Sequence, residues 1–177
     1  MRFGNIVLTP LTKMGANATG NTTKLDLRTC FQASGNSNTL RRCKMPIVHI
    51  YLLEGKPQTY LKALGDSIHQ ALMETWGIPE KDRFQMFHEK KAENFKIDHF
   101  SYLEGEGVQR SDDVTVIQIT TSPRTIDMKR AFYKRLPELL KDSIGLSPAN
   151  VFINVVMTDE EDWSLGLGKM TLIEKLK

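Results

Sequence analysis

Three residues have side-chain or main-chain chemistry that could be joined: a proline at the start of an apolar run, an arginine just after another, and an aspartate in a turn. Met45-Pro46 stands directly before Ile47-Val-His-Ile-Tyr-Leu-Leu53. If translation begins at Met45 and that residue is removed, Pro46 becomes an amino-terminal secondary amine held rigidly by a strand. An α-amino group has a pKa of about 8, and desolvation or nearby cations lower it, so such a nitrogen becomes a base near neutral pH. Strand entry alone also suits a proline, because its missing donor is tolerated there. Arg124, in Ser122-Pro-Arg-Thr125, could clamp a carboxylate through parallel N–H donors, or stand as a solvated turn cation. Lys56 occupies the matching place in an internal repeat and could supply a second cation. Asp82, in Pro79-Glu-Lys-Asp-Arg-Phe-Gln85, could orient water or exchange protons with the amine, or serve as an ordinary turn aspartate.

Other chemistries lack their patterns. His49, His69, His88 and His99 are scattered, with no HExxH and no Cys/His pairing, so no metal site is expected. Gly166-Leu-Gly-Lys-Met-Thr171 lacks the first glycine of a phosphate loop, because Trp163 stands in its place, and no threonine follows the lysine directly. A nucleophile elbow and a Cys/His dyad are also missing. No cofactor is called for.

The candidate residues need a frame, and an internal repeat provides it. A shift of 68 residues lays Pro46–Leu53 on Val114–Thr121, Gly77-Ile78 on Gly145-Leu146, and Phe84 on Phe152. Each half reads as strand, helix, glycine, strand. Leu61, Leu64, Ile68, Leu72 and Trp76 recur at helical spacing, as do Met128, Phe132, Leu136, Leu140 and Ile144. Gly77 and Gly145 suit helix C-termini and Thr125 an N-cap, whereas Pro137 should kink the second helix. The expected fold is α+β: two fused β-α-β units (about 46–85 and 114–157) forming a four-stranded, largely parallel-paired sheet with both helices on one face. The stretch 86–113 is expected to add one or two short strands, with Phe95–Phe100 the candidate. Helices on one face leave the other open, which predicts an oligomer.

At 177 residues with 40% hydrophobic and 25% charged side chains, the chain has ordinary globular composition. Its apolar runs fall far short of the roughly 20 residues of a membrane span, so no membrane association is expected. Residues 1–44 hold seven Lys/Arg against one acid, leaving 17 basic and 20 acidic residues from Met45 onward, and a net −3. Nucleic acid is therefore not an expected partner. Cys30 and Cys43 both lie in the leading segment, which fits a reducing compartment. That segment reads as a disordered leader, as a transit peptide or as an extension upstream of a start at Met45, giving a cytoplasmic protein unless it directs organellar import.

Five pieces carry a likeness: Met45–Gly55, Gly77–Gln85, Arg110–Thr125, Ala131-Phe-Tyr-Lys134 and Glu161-Asp-Trp-Ser164. Together they resemble the tautomerase superfamily, and within it the branch holding malonate semialdehyde decarboxylase and uncharacterised tautomerase relatives, from about Met45 to Lys169. The resemblance implies catalysis by an amino-terminal proline, one site per chain, and a homotrimer. It assigns Pro46, Asp82 and Arg124 to catalysis and Trp163 to an apolar wall; Lys56, by its repeat position, and Ser122, beside Arg124, join them as candidate binding residues for a small carboxylate substrate. The decarboxylase pattern has arginines on both sides of the turn proline, whereas this chain has Ser122 before Pro123. Losing one cation favours keto-enol transfer over decarboxylation, because electrostatic stabilisation is the main lever. Decarboxylation, hydration and a non-enzymatic trimeric binding protein are the alternatives.

Overall fold

The computed structural model describes residues 45–174. The expectations for 1–44, including both cysteines, lie outside those residues. Six principal elements follow in order: β1 Ile47–Leu53, α1 Gln58–Trp76, β2 Gln85–Lys90, β3 Thr115–Thr121, α2 Ile126–Ile144 and β4 Val151–Met157. The sheet order is β2-β1-β3-β4. β1 pairs parallel with β2 and β3 with β4, while the central β1–β3 pair is antiparallel. In the first strand and the helix of each unit the repeat is preserved residue for residue: 47–53 maps onto 115–121, and 58–76 onto 126–144.

Strand alternation sorts the two faces. Val48, Ile50 and Leu52 of β1, with Ile117 and Ile119 of β3, are buried against Leu64, Ile68 and Leu72 of α1 and Phe132, Leu136 and Leu140 of α2. Trp76 packs on Phe132, with centroids 4.9 Å apart, and its Nε1–H donates to the Met128 carbonyl at 3.0 Å. That bond ties the end of α1 to the start of α2.

Helix boundaries follow local chemistry. The Thr125 hydroxyl accepts from Met128 N–H at 3.2 Å. Both helices stop on glycines at φ +67 and +70, a region costly for residues with a Cβ. Gly77 and Ile78 donate back to Met73 and Leu72, and Gly145 and Leu146 to Lys141 and Leu140, which satisfies two carbonyls of each last turn. α2 continues through Pro137 as a single 19-residue helix. The missing N–H faces the carbonyl of Tyr133, an exposed residue, so water can take that acceptor.

The strand expected near Phe95–Phe100 does not form; the segment is irregular, with a short 3₁₀ turn at Ala92–Asn94 before it. The Asp98 carboxylate accepts from the backbone N–H groups of Phe100 and Ser101. Arg110 then donates to the carbonyls of Ser101 (2.9 Å) and Asp98 (3.2 Å). These side chains satisfy the backbone that a ladder would have used. No helix among the described residues is long and apolar enough to cross a membrane.

Candidate active site

Pro46 is buried and immediately precedes β1. Two registers locate it. Val48 pairs with Gln85 and donates to the Phe84 carbonyl at 2.9 Å, so Pro46 lies beside the turn that carries Asp82. Ile47 pairs with Thr120, so Pro46 also lies where β3 runs through Thr121 into Ser122. The start of β1, the entry to β2 and the exit of β3 therefore share one end of the sheet. In the chain as it stands, Met45 acylates the Pro46 nitrogen, and an amide nitrogen is no base.

Arg124 is 9% exposed and is held by its surroundings. Its Nε–H donates to Thr121 Oγ1 at 3.2 Å, and its guanidinium carbon lies 5.1 Å from the centre of the Trp76 ring. That distance is within cation–π range. Arg124 also precedes the N-terminus of α2, whose dipole favours anions. Ser122 beside it is fully buried, and its Oγ has no hydrogen-bond partner. Asp82 is half-buried. Burial pushes its carboxyl above the usual aspartate range, while the charge of nearby His69 works against that rise.

Trp163 arrives at the same end by a chain of bonds. Thr158 N–H donates to the Thr121 carbonyl at 3.0 Å, and Trp163 Nε1–H donates to Thr158 Oγ1 at 2.8 Å. The indole is 6% exposed, so it contributes a packed apolar surface.

Lys56 is not brought to this group, and its expected place beside Arg124 is corrected within the chain. The antiparallel β1–β3 pairing relates the two repeats by a half-turn, which sends repeat-mates to opposite ends of the sheet. Lys56 follows the far end of β1 and pairs with Asp113 at 2.5 Å. Asn150, the mate of Asp82, is likewise at the far end, where it exchanges two 2.8 Å bonds with Ser111. The far end has Val114 in mid-chain where the near end has Pro46, so only one end can offer a proline amine.

Trp76 and Thr121 were not foreseen as site residues. Trp76 fitted the apolar stripe of α1, and nothing in that spacing marks the ring as a platform for Arg124. Thr121 carried a weak signal, a hydroxyl three residues before the arginine. Among the described residues, no group of three or more His, Cys, Asp or Glu side chains is placed to hold a metal ion.

A family model described as tautomerase enzyme matches residues 46–100, and a second with the same description matches 82–166. The probable tautomerase YusQ of Bacillus subtilis (strain 168) is 34% identical over 131 residues, spanning 73% of this chain and 100% of that protein. This chain belongs to the tautomerase superfamily. The probable tautomerase YrdN of the same organism is 32% identical to this tautomerase homologue over 125 residues, 71% of this chain and 94% of its own. Among solved structures, malonate semialdehyde decarboxylase superposes with a TM-score of 0.66 at 28% identity, covering 72% of this chain and 95% of that one. FG41 malonate semialdehyde decarboxylase inhibited by 3-bromopropiolate gives 0.64 at 30% identity, covering 72% and 94%. A fused 4-OT solved as a symmetric trimer shares the tautomerase fold, with a TM-score of 0.56 at 15% identity over 70% of this chain and 94% of its own.

Proposed function

We propose that the protein is a cofactor-independent tautomerase that moves a proton between carbon and oxygen of a small carboxylic acid, with the Pro46 nitrogen as the base once residue 45 is removed. The observation that carries this reading is the gathering of Pro46, Asp82, Ser122 and Arg124 at one end of the sheet. In its support, one family model takes up the chain at residue 46. Malonate semialdehyde decarboxylase has also been solved with the proline at its first position replaced by alanine.

The chemistry follows from the groups present. Arg124, oriented by Thr121 and Trp76, receives the substrate carboxylate. The neutral Pro46 amine takes a proton from the enol hydroxyl or from carbon, becoming a secondary ammonium, and returns a proton to the other position. Proximity to Arg124 and partial burial both lower the amine's pKa toward neutrality. Asp82 lies where it can orient the ammonium or a water. Ser122 offers a neutral hydroxyl to the same end of the site, and Trp163 helps exclude water.

A decarboxylase or hydratase is the second reading, favoured by the 28% and 30% identity to malonate semialdehyde decarboxylases. Ser122, rather than a second arginine, speaks for proton transfer alone. We also propose that the molecule works as a homotrimer, because the sheet face away from the helices exposes Phe84, Met86, Phe152 and Val156.

The deciding experiment compares the full chain with one beginning at Pro46, each verified by intact mass, on phenylenolpyruvate, 2-hydroxymuconate and small β-keto acids. Turnover is expected only from the chain with a free Pro46 nitrogen. Activity from verified full-length protein, or turnover unchanged in Pro46→Ala, contradicts the mechanism, and turnover no faster than the uncatalysed background in both the Pro46-initiated chain and Pro46→Ala points to a binding protein. Release of carbon dioxide, or hydration of an acetylenic acid, selects the second reading.

A further inference from the structure

His69 is a buried titratable side chain that the proposed chemistry leaves unused. It lies on α1, is 5% exposed, and its Nε2 stands 2.9 Å from the Glu80 carbonyl oxygen. A carbonyl only accepts, so Nε2 carries the hydrogen and donates. Glu80 belongs to the turn closed by Asp82 N–H donating to the Pro79 carbonyl at 3.0 Å. The imidazole therefore ties the helix to the backbone of the turn that presents Asp82.

The electrostatics converge on the same pair. A proton on the His69 ring acts on the Asp82 carboxylate, opposing the effect of its burial. The other charges on this side of α1 engage one another: Asp66 pairs with Lys62 at 2.5 Å and with Arg83 at 2.7 Å. Arg83 Nε–H also donates to Gln85 Oε1 at 3.0 Å.

We infer that His69 is a positioning residue for Asp82: its Nε2–H anchors the Pro79–Asp82 turn to α1, and its positive charge, when it is protonated, steadies the Asp82 carboxylate beside Pro46. The inference rests on the reading of Asp82 as a catalytic group. It makes the turn aspartate an extension of the helix layer rather than a loop residue, with its two supports separable by substitution.

The test uses nuclear magnetic resonance on the full 177-residue chain, which needs no turnover, with His69→Phe and His69→Gln. Glutamine keeps an N–H donor and loses the charge; phenylalanine loses both. Exchange of the Asp82 backbone amide should quicken roughly tenfold in His69→Phe, the effect of losing one buried hydrogen bond, and return toward wild type in His69→Gln. The carboxyl titration of Asp82 should move to higher pH in both variants. In the catalytically active form, His69→Phe should lower kcat roughly tenfold at nearly constant KM, since misplaced groups cost chemistry more than binding. Folded variants with wild-type amide exchange and wild-type Asp82 titration overturn the inference. A wild-type chain that turns over no acid overturns the catalytic reading alone, and the two resonance measurements still decide whether His69 holds the turn.

Discussion

Arg124 shows how much of a site residue's behaviour is set by its neighbours. A free surface arginine spends rotamer entropy whenever it grips an anion. Here Thr121 fixes Nε and the Trp76 ring lies within cation–π range of the guanidinium, so part of that ordering is complete before substrate arrives. Arg124→Lys removes the planar fork and its bond to Thr121, and should raise KM for the acid by roughly tenfold or more in steady-state assays. Asp82 gives a pH prediction. Burial lifts its folded pKa above the unfolded value, so the native state holds the proton longer and loses stability as pH rises through that window. Asp82→Asn should therefore be the more stable protein in neutral urea melts, with the gap closing in acid. Its turnover should nevertheless fall by roughly 100-fold, the usual reach of a proton-handling group.

The helices depend on their ends as much as on their buried faces. α2 begins on a side-chain cap beside Arg124 and stops on a left-handed glycine at the far end of the sheet. Thr125→Ala leaves the Met128 N–H without its acceptor and should cost about 1 kcal/mol in denaturant melts. Because Thr125 adjoins Arg124, the same change should also raise KM. Gly145→Ala meets no atom within 4 Å, so its cost is conformational and should be about 1–2 kcal/mol. Phe132→Ala removes a fully buried ring packed on Trp76 and should cost about 3–5 kcal/mol. It should also disturb Arg124 through that shared tryptophan.

At the scale of the whole molecule, the decisive feature is the sheet face that the helices leave open. His49, Tyr51 and His88 stack there, with His49 Nδ1 2.8 Å from His88 Nε2, a bond that needs at least one unprotonated nitrogen. Desolvation, then the charges of His49 and Lys90, hold the His88 imidazole below the usual histidine range. Its folded pKa is depressed, so this share of stability is complete above the ordinary histidine value and is lost as pH falls through that range. Thermal melts at pH 7.5 and 5.5 should show that loss, and His88→Gln should reduce it. Val116 lies mid-face, opposite Tyr51 and Phe152. Val116→Asp should leave a folded single chain on sedimentation where the wild type sediments as an oligomer.

The chain by itself determined what local forces decide. Apolar spacing set α1 and α2, Gly77, Gly145 and Thr125 set their ends, and the repeat announced that two β-α-β units share one sheet. The position of Pro46 just ahead of β1 and the place of Arg124 at the exit of β3 were equally legible, because each is fixed by the strand beside it. Only the tertiary structure decided which residues meet. The antiparallel joining of the two units put Lys56 at the far end with Asp113, and the fold of the C-terminal segment brought Trp163 to Thr158. Packing of α1 on α2 turned Trp76 into a support for Arg124, and the Glu80 turn came to rest on His69. Those outcomes depend on pairing direction and on contacts between residues far apart in the chain, and side-chain spacing along one element carries neither.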